Sequence, residues 1–296
     1  MDISIIIPTY NEEATISNVI ENIKSSMDKL ACEYEIVVVD DGSKDRTASI
    51  VKQKDYAKLI QHIVNRGVGA ARKTGMNVAR GKLIGMIDGD GTYPVDKLPK
   101  MIEMLKDFDM VIGARQIEKG SLRPLRSMAK YTIKKLASFL TKTNILDLNS
   151  GLRVFRKDIA VKYSYILPDG HSWVSTITLA FLTDNYRVGF MPIPYFDRKG
   201  ISSFRPIKDT YNYIMAVITT VTYFNPLRIF MPLSAISFLV FCVFFLHDVI
   251  TFNIQGSTII MLVVSLFTFF FGLIADQLSK IRKELNATVS KKHLEG

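Results

Sequence analysis

Two aspartates separated by one glycine, Asp88 and Asp90, follow an apolar run in the segment MIDGDGTYP (86–94). A hard divalent cation prefers oxygen ligands, and Mg²⁺ is commonly held by one or two carboxylates together with substrate phosphates. The spacing therefore favours a metal site that holds a phosphate. An acidic turn is the alternative interpretation, because Asp and Gly are residues that turns favour. In either case we expect Asp90 to be an exposed loop residue.

Polar and acidic clusters follow three apolar runs of the sequence. They are the segments 8–13 (PTYNEE), 40–43 (DDGS) and 88–92 (DGDGT). The runs before them are nearly continuous and rich in β-branched residues, which is typical of strands buried on both faces of a mainly parallel sheet. Because ligands bind off the carboxyl ends of such strands, we expect the three clusters to form one site.

Short apolar runs alternate with helical patterns over the first 115 residues, which predicts an open α/β sheet. The predicted strands are 3–7, 35–40, 59–64, 82–88 and 110–113. Apolar residues at helical spacing predict one helix around Ala14 to Ile23 and another around Leu98 to Leu105.

The C-terminal quarter contains two long segments without Lys, Arg, Asp or Glu, 229–247 and 258–275. As helices, each would cross the roughly 30 Å hydrocarbon core of a bilayer. The link 248–256 lacks Lys and Arg, which instead flank the pair, so the positive-inside tendency places both flanks in the cytoplasm. Attraction to anionic lipids explains the net charge of +10. No nucleic-acid-binding motif accompanies that charge, so nucleic acid is not an expected partner.

The sequence predicts three parts: a cytoplasmic domain (1–225), a transmembrane helix pair (226–278) and a basic cytoplasmic tail (279–296). Amphipathic helices are predicted at about 121–142 and 205–225. In 121–142 apolar residues recur at helical spacing while Lys and Arg occupy the other faces, which is typical of a helix at a membrane interface. A helix packed on the core with a solvated basic face is the alternative for that segment.

Seven motifs occur in an order that resembles a known family. They are IIPTYNE (6–12), VVVDDGSKDRT (37–47), NRGVGAARKTG (65–75), IDGDG (87–91), IGAR (112–115), NSGLRVFRKD (149–158) and the DRKGISS region (197–203). Followed by a transmembrane pair, this set resembles the inverting glycosyltransferases of family 2, which have the GT-A fold, a Rossmann-like, mainly parallel sheet. Within that family it is similar to the polyprenyl-phosphate sugar synthases of the dolichyl phosphate mannose synthase type.

The resemblance implies that a hexose moves from a GDP- or UDP-linked nucleotide sugar to a polyprenyl or dolichyl phosphate at the membrane, with Mg²⁺ or Mn²⁺ as cofactor. The residues implied to hold the nucleotide are Pro8, Tyr10, Glu12, Asp40 and Asp41. The implied metal ligands are Asp88, Asp90 and Thr92, and Gly89 lets the diphosphate approach closely. By the same resemblance Arg115 would face the phosphates, and Arg126, Lys130 and Arg198 are the candidates for binding the lipid phosphate.

Two positions depart from the family pattern. Thr92 stands where family members often have Gln, and this shorter side chain would reach a metal only through water. Ser203 stands where a Lys is common, which leaves open whether Ser203 or Arg205 makes the phosphate contact there.

A phosphate acceptor needs no general base, because its second pKa is near 6 and it is mostly an anionic nucleophile at pH 7. The histidines, including His62 and His247, are accordingly interpreted as structural. A transferase to a saccharide or glycolipid hydroxyl would need a base, and segment 170–184 has no carboxylate before Asp184, which weighs against it. A catalytically inactive, membrane-anchored nucleotide-sugar-binding protein is the other alternative. The sugar, the nucleotide, the type of lipid and homo-oligomer formation stay open.

Overall fold

The structure is a computed structural model that describes residues 1–116, 134–139, 141–197 and 206–295. The strands are β1 (Ile3–Thr9), β2 (Tyr34–Asp40), β3 (Ala57–Gln61), β4 (Leu83–Met86), β5 (Met110–Arg115), β6 (Arg153–Arg156) and β7 (Val188–Ile193). The helices are α1 (Ile16–Met27), α2 (Thr47–Lys52), α3 (Val68–Val78), α4 (Leu98–Met104), α5 (Lys157–Val161), α6 (Trp173–Thr183), α7 (Pro206–Phe224), α8 (Leu227–Thr251) and α9 (Gly256–Glu295). The five strands predicted from the sequence correspond to β1–β5.

The strands form one seven-stranded sheet in the order β3-β2-β1-β4-β6-β5-β7. All neighbouring pairs are parallel except those of β6, which runs antiparallel to both β4 and β5. The predicted mainly parallel α/β architecture is therefore confirmed. The sequence patterns did not predict β6, a four-residue strand that begins and ends with arginine, nor β7.

Helices pack on both faces of the sheet, which explains why strand β1 in its interior is buried on both sides. Ile3, Ile5 and Ile7 of β1 belong to the core cluster that also contains the buried face of α1. Ile6 lies on the opposite face against α3, where a Cβ added at Gly75 would stand 2.4 Å from Ile6 Cγ2. Because successive side chains of a strand point to opposite faces, both sets must be apolar.

The strand order reverses at β1, which pairs with β2 on one side and with β4 on the other. In open α/β sheets, ligands bind at such a switch point, in the crevice outside the carboxyl ends of the strands. The segments 8–13 and 88–92 leave the sheet at this edge, one after β1 and one after β4. The sheet topology therefore brings the predicted site residues of these two segments to the same edge, although the segments are far apart in the sequence.

The chain divides into two compact units, Met1–Val217 and Ile218–Gly296. In the second unit, the segments Leu227–Thr251 and Gly256–Arg282 are helices long and apolar enough to cross a membrane. They contain both of the spans predicted from hydropathy. The hydroxyls of Ser234 and Ser265 each donate to the other residue's carbonyl at 3.2 Å, which joins the two helices as a hairpin.

The structure describes nearly all of one predicted amphipathic segment and only part of the other. Helix α7 corresponds to the helix predicted at 205–225. Most of 121–142 lies outside the described residues, although 134–139 are helical. The interface placement of both segments, and the domain boundaries at 225 and 278, stay predictions.

Candidate active site

The turn after β4 carries the paired aspartates. Asp90 is only 8% exposed, and its Oδ1 accepts hydrogen bonds from the Thr92 backbone N–H (3.1 Å) and the Thr92 hydroxyl (2.7 Å). The expectation that Asp90 is an exposed loop residue is therefore wrong, because the turn folds back so that Thr92 satisfies the carboxylate. Thr92 is itself fully buried. It supports Asp90 directly, and its contact to a metal through water stays a prediction.

Asp88 is held from two sides. Its Oδ1 accepts from Nη2 of Arg72 at 2.7 Å, and the Arg72 guanidinium lies 5.7 Å from the centre of the Trp173 ring. Its Oδ2 lies against Gly151, where an added Cβ would stand 2.1 Å from that oxygen. Gly151 in turn donates its N–H to the Tyr93 hydroxyl at 2.7 Å. Asp88 nevertheless keeps 27% of its side chain exposed, so the carboxylate remains accessible to a ligand.

Gly89, between the two aspartates, lies over the start of α1. Its carbonyl accepts from the Thr15 hydroxyl at 2.8 Å, and an added Cβ would be 3.2 Å from Thr9 Oγ1 and 3.3 Å from Ile16 Cδ1. The backbone at this position is therefore close to both β1 and α1. A side chain here would crowd the end of β1, which is consistent with the small residue that the sequence places there.

Asp40, at the end of β2, is 1% exposed. Its Oδ1 accepts from the backbone N–H of Ser43 at 3.1 Å and from the Ser43 hydroxyl. Its Oδ2 accepts from the side-chain amide of Gln61 at 3.3 Å. In the sheet register Asp40 stands beside Thr9, and Pro8 stands beside Val39, so the ends of β1 and β2 form one polar edge.

Asp41 organises the loop that leads into α3. It is 2% exposed, and it accepts from the backbone N–H groups of Arg66 (3.0 Å) and Gly67 (2.8 Å). Its Oδ1 also lies 2.7 Å from Nδ1 of His62, whose Nε2 is 2.9 Å from the Thr74 hydroxyl. His62 thus bridges a loop carboxylate to a helix, which agrees with its structural interpretation.

The loops after β1 and β2 are joined by side-chain contacts. Asn11 has a positive φ of 55°, and its Oδ1 accepts from the Lys44 N–H at 2.8 Å. The backbone N–H of Glu12 donates to the Thr47 hydroxyl at 2.8 Å, and the Glu12 side chain is buried in this junction. Tyr10 is half-buried beside it. The residues predicted to hold the nucleotide therefore lie on two loops fixed to each other.

Arg115, at the end of β5, forms a two-pronged ion pair with Asp147. Nε lies 2.7 Å from Oδ2 and Nη2 lies 3.0 Å from Oδ1, and each side chain is only 10% exposed. Burial alone would raise the pKa of Asp147, but the charge and hydrogen bonds of Arg115 outweigh burial and hold it below its usual value. The guanidinium also lies 5.2 Å from the Tyr195 ring centre, and burial raises the pKa of that phenol. The role of Arg115 toward phosphates stays a prediction.

Three of the predicted phosphate-binding cations cannot be placed. Arg126, Lys130 and Arg198 lie outside the described residues, as do Ser203 and Arg205. The structure accordingly brings Asp88, Asp90, Thr92 and the loops after β1 and β2 to one edge of the sheet, with Arg115 at the end of β5.

Residues 4–164, more than half of the sequence, match the pattern described as Glycosyl transferase family 2. The chain belongs to glycosyltransferase family 2. Residues 225–281 of this family 2 chain, which contain α8 and much of α9, match a second pattern described as the GtrB C-terminal hairpin.

Several curated proteins resemble this family 2 chain. It is 30% identical to a dolichyl-phosphate hexose transferase of Haloferax volcanii over 69% of its own length and 87% of that protein. It is 34% identical to a dolichol-phosphate mannosyltransferase of Pyrococcus furiosus over 54% and 47% of the two chains. It is 25% identical to a dodecaprenyl-phosphate galacturonate synthase of Rhizobium johnstonii over 74% and 66%. The match thus spans about half to two-thirds of the length of the last two relatives.

Solved structures show the same fold at low sequence identity. Glucosyl-3-phosphoglycerate synthase from Mycobacterium tuberculosis, crystallised with Mn²⁺, UDP-glucose and phosphoglyceric acid, superposes with a TM-score of 0.59 at 19% identity. The match covers 74% of this family 2 chain and 79% of that protein. A second crystal structure of the same synthase contains Mg²⁺ and UDP and superposes with a TM-score of 0.60.

The donor atoms at the edge of this family 2 sheet fit a hard divalent cation. Asp88 and Asp90 offer carboxylate oxygens one residue apart in the chain. Within the ranges that the structure describes, there is no group of three or more His, Cys, Asp or Glu side chains that could hold a metal. A site with two carboxylates completed by a substrate diphosphate needs no third such side chain. The residues therefore fit a hard divalent cation such as Mg²⁺ or Mn²⁺.

Sequence reasoning missed five residues that contact Asp88 or Arg115, or that support the residues in contact with them. They are Arg72, Tyr93, Asp147, Gly151 and Arg153. Arg72, Gly151 and Arg153 stand inside the motifs NRGVGAARKTG and NSGLRVFRKD that carried the family resemblance, but a motif does not reveal which distant residue each of them contacts. Asp147 stands two residues before the second motif and has no local signal at all.

Proposed function

We propose that this chain is a membrane-bound, metal-dependent, inverting glycosyltransferase that moves a hexose from a GDP- or UDP-linked sugar to a polyprenyl or dolichyl phosphate. One observation carries the proposal: the Asp88 and Asp90 carboxylates lie at the switch point of a family 2 sheet in a chain that continues into a hairpin of membrane-spanning length. The names of the Haloferax, Pyrococcus and Rhizobium relatives support the lipid phosphate as acceptor.

The joined loops after β1 and β2 would hold the nucleotide of the donor. Pro8, Tyr10, Glu12, Asp40 and Asp41 lie on or beside these loops. Because Asp40 is buried and already hydrogen-bonded to Ser43, its carboxylate has a fixed direction at the polar edge. A fixed acceptor group selects a ligand that presents a donor in the matching direction. The donor base would be recognised in this way.

Asp88 and Asp90 would bind the cation and orient the donor diphosphate. When bound, the cation supplies Lewis-acid stabilisation of the charge that develops on the departing diphosphate. Arg72 and Gly151 fix the Asp88 carboxylate, and Thr92 fixes that of Asp90. Because these groups are oriented before the donor arrives, they need not reorganise during the reaction.

The acceptor would be a phosphate monoester that attacks the anomeric carbon without a dedicated base. Such a reaction needs cations that hold two anionic substrates together, and arginine offers a fork that matches phosphate geometry. Arg115, Arg126, Lys130 and Arg198 are the proposed cations. With its carbon chain in the bilayer, the lipid would present its phosphate at the membrane interface, and the proposed interface helices at 121–142 and 205–225 would lie at that height.

The described residues favour a phosphate acceptor over a hydroxyl acceptor. Helix α6 contains no Asp, Glu, His or Lys, so it offers no base to an acceptor. Asp184, which follows it, accepts from the Tyr163 hydroxyl at 2.9 Å. Asp169, which precedes it, is ion-paired with Lys73 and is 55% exposed. Asp169 is therefore the carboxylate to test if a base were required.

The membrane arrangement completes the proposal. Residues 1–225 would form the cytoplasmic catalytic domain, 226–278 the helix pair and 279–296 the basic tail on the same side. The absence of Lys and Arg from the link 248–256 supports this orientation.

A paired acceptor assay tests the proposed function. The full chain in liposomes is incubated with polyprenyl phosphate or with the matching polyprenol, and with labelled GDP-mannose, UDP-glucose or UDP-N-acetylglucosamine. We expect an acid-labile lipid-linked sugar with one of these donors, only from the phosphate, and an unchanged rate for Asp169→Asn. Labelling of the polyprenol or of another hydroxyl acceptor, lost in Asp169→Asn, would establish the hydroxyl transferase instead.

A further inference from the structure

Arg153 is a fully buried arginine at the start of β6, in the interior of the sheet. In the register it stands beside Met86 of β4 and Ile112 of β5, the two strands whose ends carry Asp88 and Arg115. Burial, reinforced by the nearby charge of Arg72, lowers the pKa of Arg153 to about 9. A buried guanidinium destabilises a fold unless its hydrogen-bond donors are used, so the contacts of Arg153 indicate what this charge provides.

Arg153 ties a turn next to the site to helix α6. Nη1 donates to the Val174 carbonyl at 2.8 Å and to the Thr178 hydroxyl at 3.0 Å, both on α6. Nη2 donates to the Ser150 carbonyl at 2.5 Å. All three acceptors are neutral oxygens, two of them on α6 and one on the 150–151 turn. The side chain therefore sets the position of the 150–151 turn relative to α6.

The 150–151 turn is the surface against which Asp88 rests. The Cα of Gly151 lies so close to Asp88 Oδ2 that an added Cβ would stand 2.1 Å from that oxygen. The second contact of Asp88, with Arg72, also leads to α6, because the Arg72 guanidinium lies over the ring of Trp173. Both contacts that orient Asp88 thus depend on the placement of α6.

We propose that Arg153 is a positioning residue that holds Asp88 in its metal-binding orientation by tying the 150–151 turn to α6. The inference rests on the proposed metal role of Asp88. Partners that orient a metal ligand without touching the metal change metal affinity by about 10- to 100-fold when removed. Arg153 would act in that way on a carboxylate that it does not contact.

Two threonines of α6 provide a matched comparison. Thr178 and Thr183 are both buried, and each hydroxyl donates to the carbonyl four residues earlier. Of the two, Thr178 accepts a hydrogen bond from Arg153. Thr178→Val and Thr183→Val therefore each remove one hydroxyl from α6. Only Thr178→Val also removes a hydrogen bond between Arg153 and this helix.

The test measures Mn²⁺ binding to the full chain in detergent by electron paramagnetic resonance, with UDP and with GDP, alongside the thermal midpoint. We expect Arg153→Lys, which cannot reach all three acceptors, to raise the Mn²⁺ dissociation constant about tenfold. Thr178→Val should raise it about threefold, as the loss of one hydrogen bond implies, and Thr183→Val should leave it within about twofold of the parent chain.

Equal Mn²⁺ affinity in Thr178→Val and Thr183→Val, with both folded, would overturn the positioning role, even if Arg153→Lys fails to fold. If the parent chain fails to bind Mn²⁺ both in the presence of UDP and in the presence of GDP, the metal role of Asp88 is overturned, and this inference with it. A parent chain that binds Mn²⁺ and transfers sugar, but whose affinity is unchanged in the variants, retains the proposed function and loses only the role of Arg153.

Discussion

Buried arginines hold two carboxylates near the site in different ways. Asp147 receives both prongs of Arg115 and is 10% exposed, whereas Asp88 receives one nitrogen of Arg72 and is 27% exposed. A carboxylate that is saturated by an arginine fork acts as an anchor for the arginine. Asp88 keeps oxygen lone pairs and exposure for a ligand. The single contact of Asp88 with Arg72 fits the proposed metal role, whereas the two-pronged ion pair of Asp147 fits a structural one.

Asp90→Asn is expected to reduce sugar transfer by at least about 100-fold, because a neutral amide is a poor ligand for a hard cation. The Asn side-chain oxygen can still accept from the Thr92 N–H and hydroxyl, so the thermal midpoint should change little. Asp96→Asn is the control, since Asp96 is 68% exposed and pairs with its neighbour Lys97. Transfer at the parent rate by Asp90→Asn would contradict the metal role.

Asp147→Asn is expected to lower stability by about 3 kcal/mol, because it leaves the buried Arg115 without its counter-charge. The pKa of Asp147 is held below its usual value in the folded chain. Its stabilisation is therefore complete above the unfolded value near pH 4 and is lost as pH falls through the folded value. The thermal midpoints of the parent chain and of Asp147→Asn, both full-length in detergent, should differ at pH 7 and converge below pH 4. A constant difference across this range would count against the ion pair.

At the scale of elements, the sequence predicted the strands whose burial shows as a local apolar pattern. Strands β1, β2, β4 and β5 are apolar runs buried on both faces, and the partly exposed edge strand β3 is a shorter apolar run, so the positions of all five follow from the sequence. Strand β6 was not predicted, because Arg153 and Arg156 interrupt its apolar pattern and the burial or pairing of these arginines depends on distant residues. Strand β7 contains Gly189 and Pro192, residues that argue against a strand. It is an edge strand, where such residues are tolerated.

Gly75→Ala is expected to destabilise the unit Met1–Val217 by about 1–3 kcal/mol. The new methyl would lie 2.4 Å from Cγ2 of Ile6 and force α3 away from β1. Gly170→Ala is the control, since nothing lies within 4 Å of a Cβ added there. Thermal unfolding of both variants in detergent checks this. Equal midpoints for the two would show that α3 does not pack as closely on β1 as described.

Ser234→Leu is expected to weaken the helix hairpin, because it removes one of two reciprocal hydrogen bonds and inserts a large side chain between α8 and α9. Ser237→Leu is the control, since Ser237 is exposed and its hydroxyl donates within its own helix. Protease resistance of the hairpin in detergent should fall only for Ser234→Leu. Equal resistance would place Ser234 outside the helix contact.

At the scale of the whole molecule, the candidate site could be predicted only in part. The acidic clusters at strand ends were visible because parallel strands bring their carboxyl ends to one edge. The support of Asp88 by Arg72, Gly151 and α6 was not visible, because it joins residues far apart in the chain. Arg126, Lys130 and Arg198 stay predictions from family resemblance. Membrane orientation likewise depends on charge distribution rather than on local structure.

A cysteine at position 253 in the link between α8 and α9 tests that orientation. In a chain with Cys32 and Cys242 replaced by serine, Asn253→Cys should react with a membrane-impermeant maleimide in intact cells. Lys29→Cys, at an exposed position after α1, should react only after lysis. Labelling of Lys29→Cys in intact cells would place the catalytic unit on the outer face and contradict the cytoplasmic assignment.

The most direct measurement of the central claim is the mass of the lipid product made by the full chain from polyprenyl phosphate and a nucleotide sugar, with and without EDTA. The account predicts a lipid whose mass has increased by the one sugar residue of the donor used, linked through a single phosphate, formed with Mg²⁺ or Mn²⁺ and abolished by EDTA. No such product with any donor of the panel, or a product whose yield EDTA leaves unchanged, would contradict it.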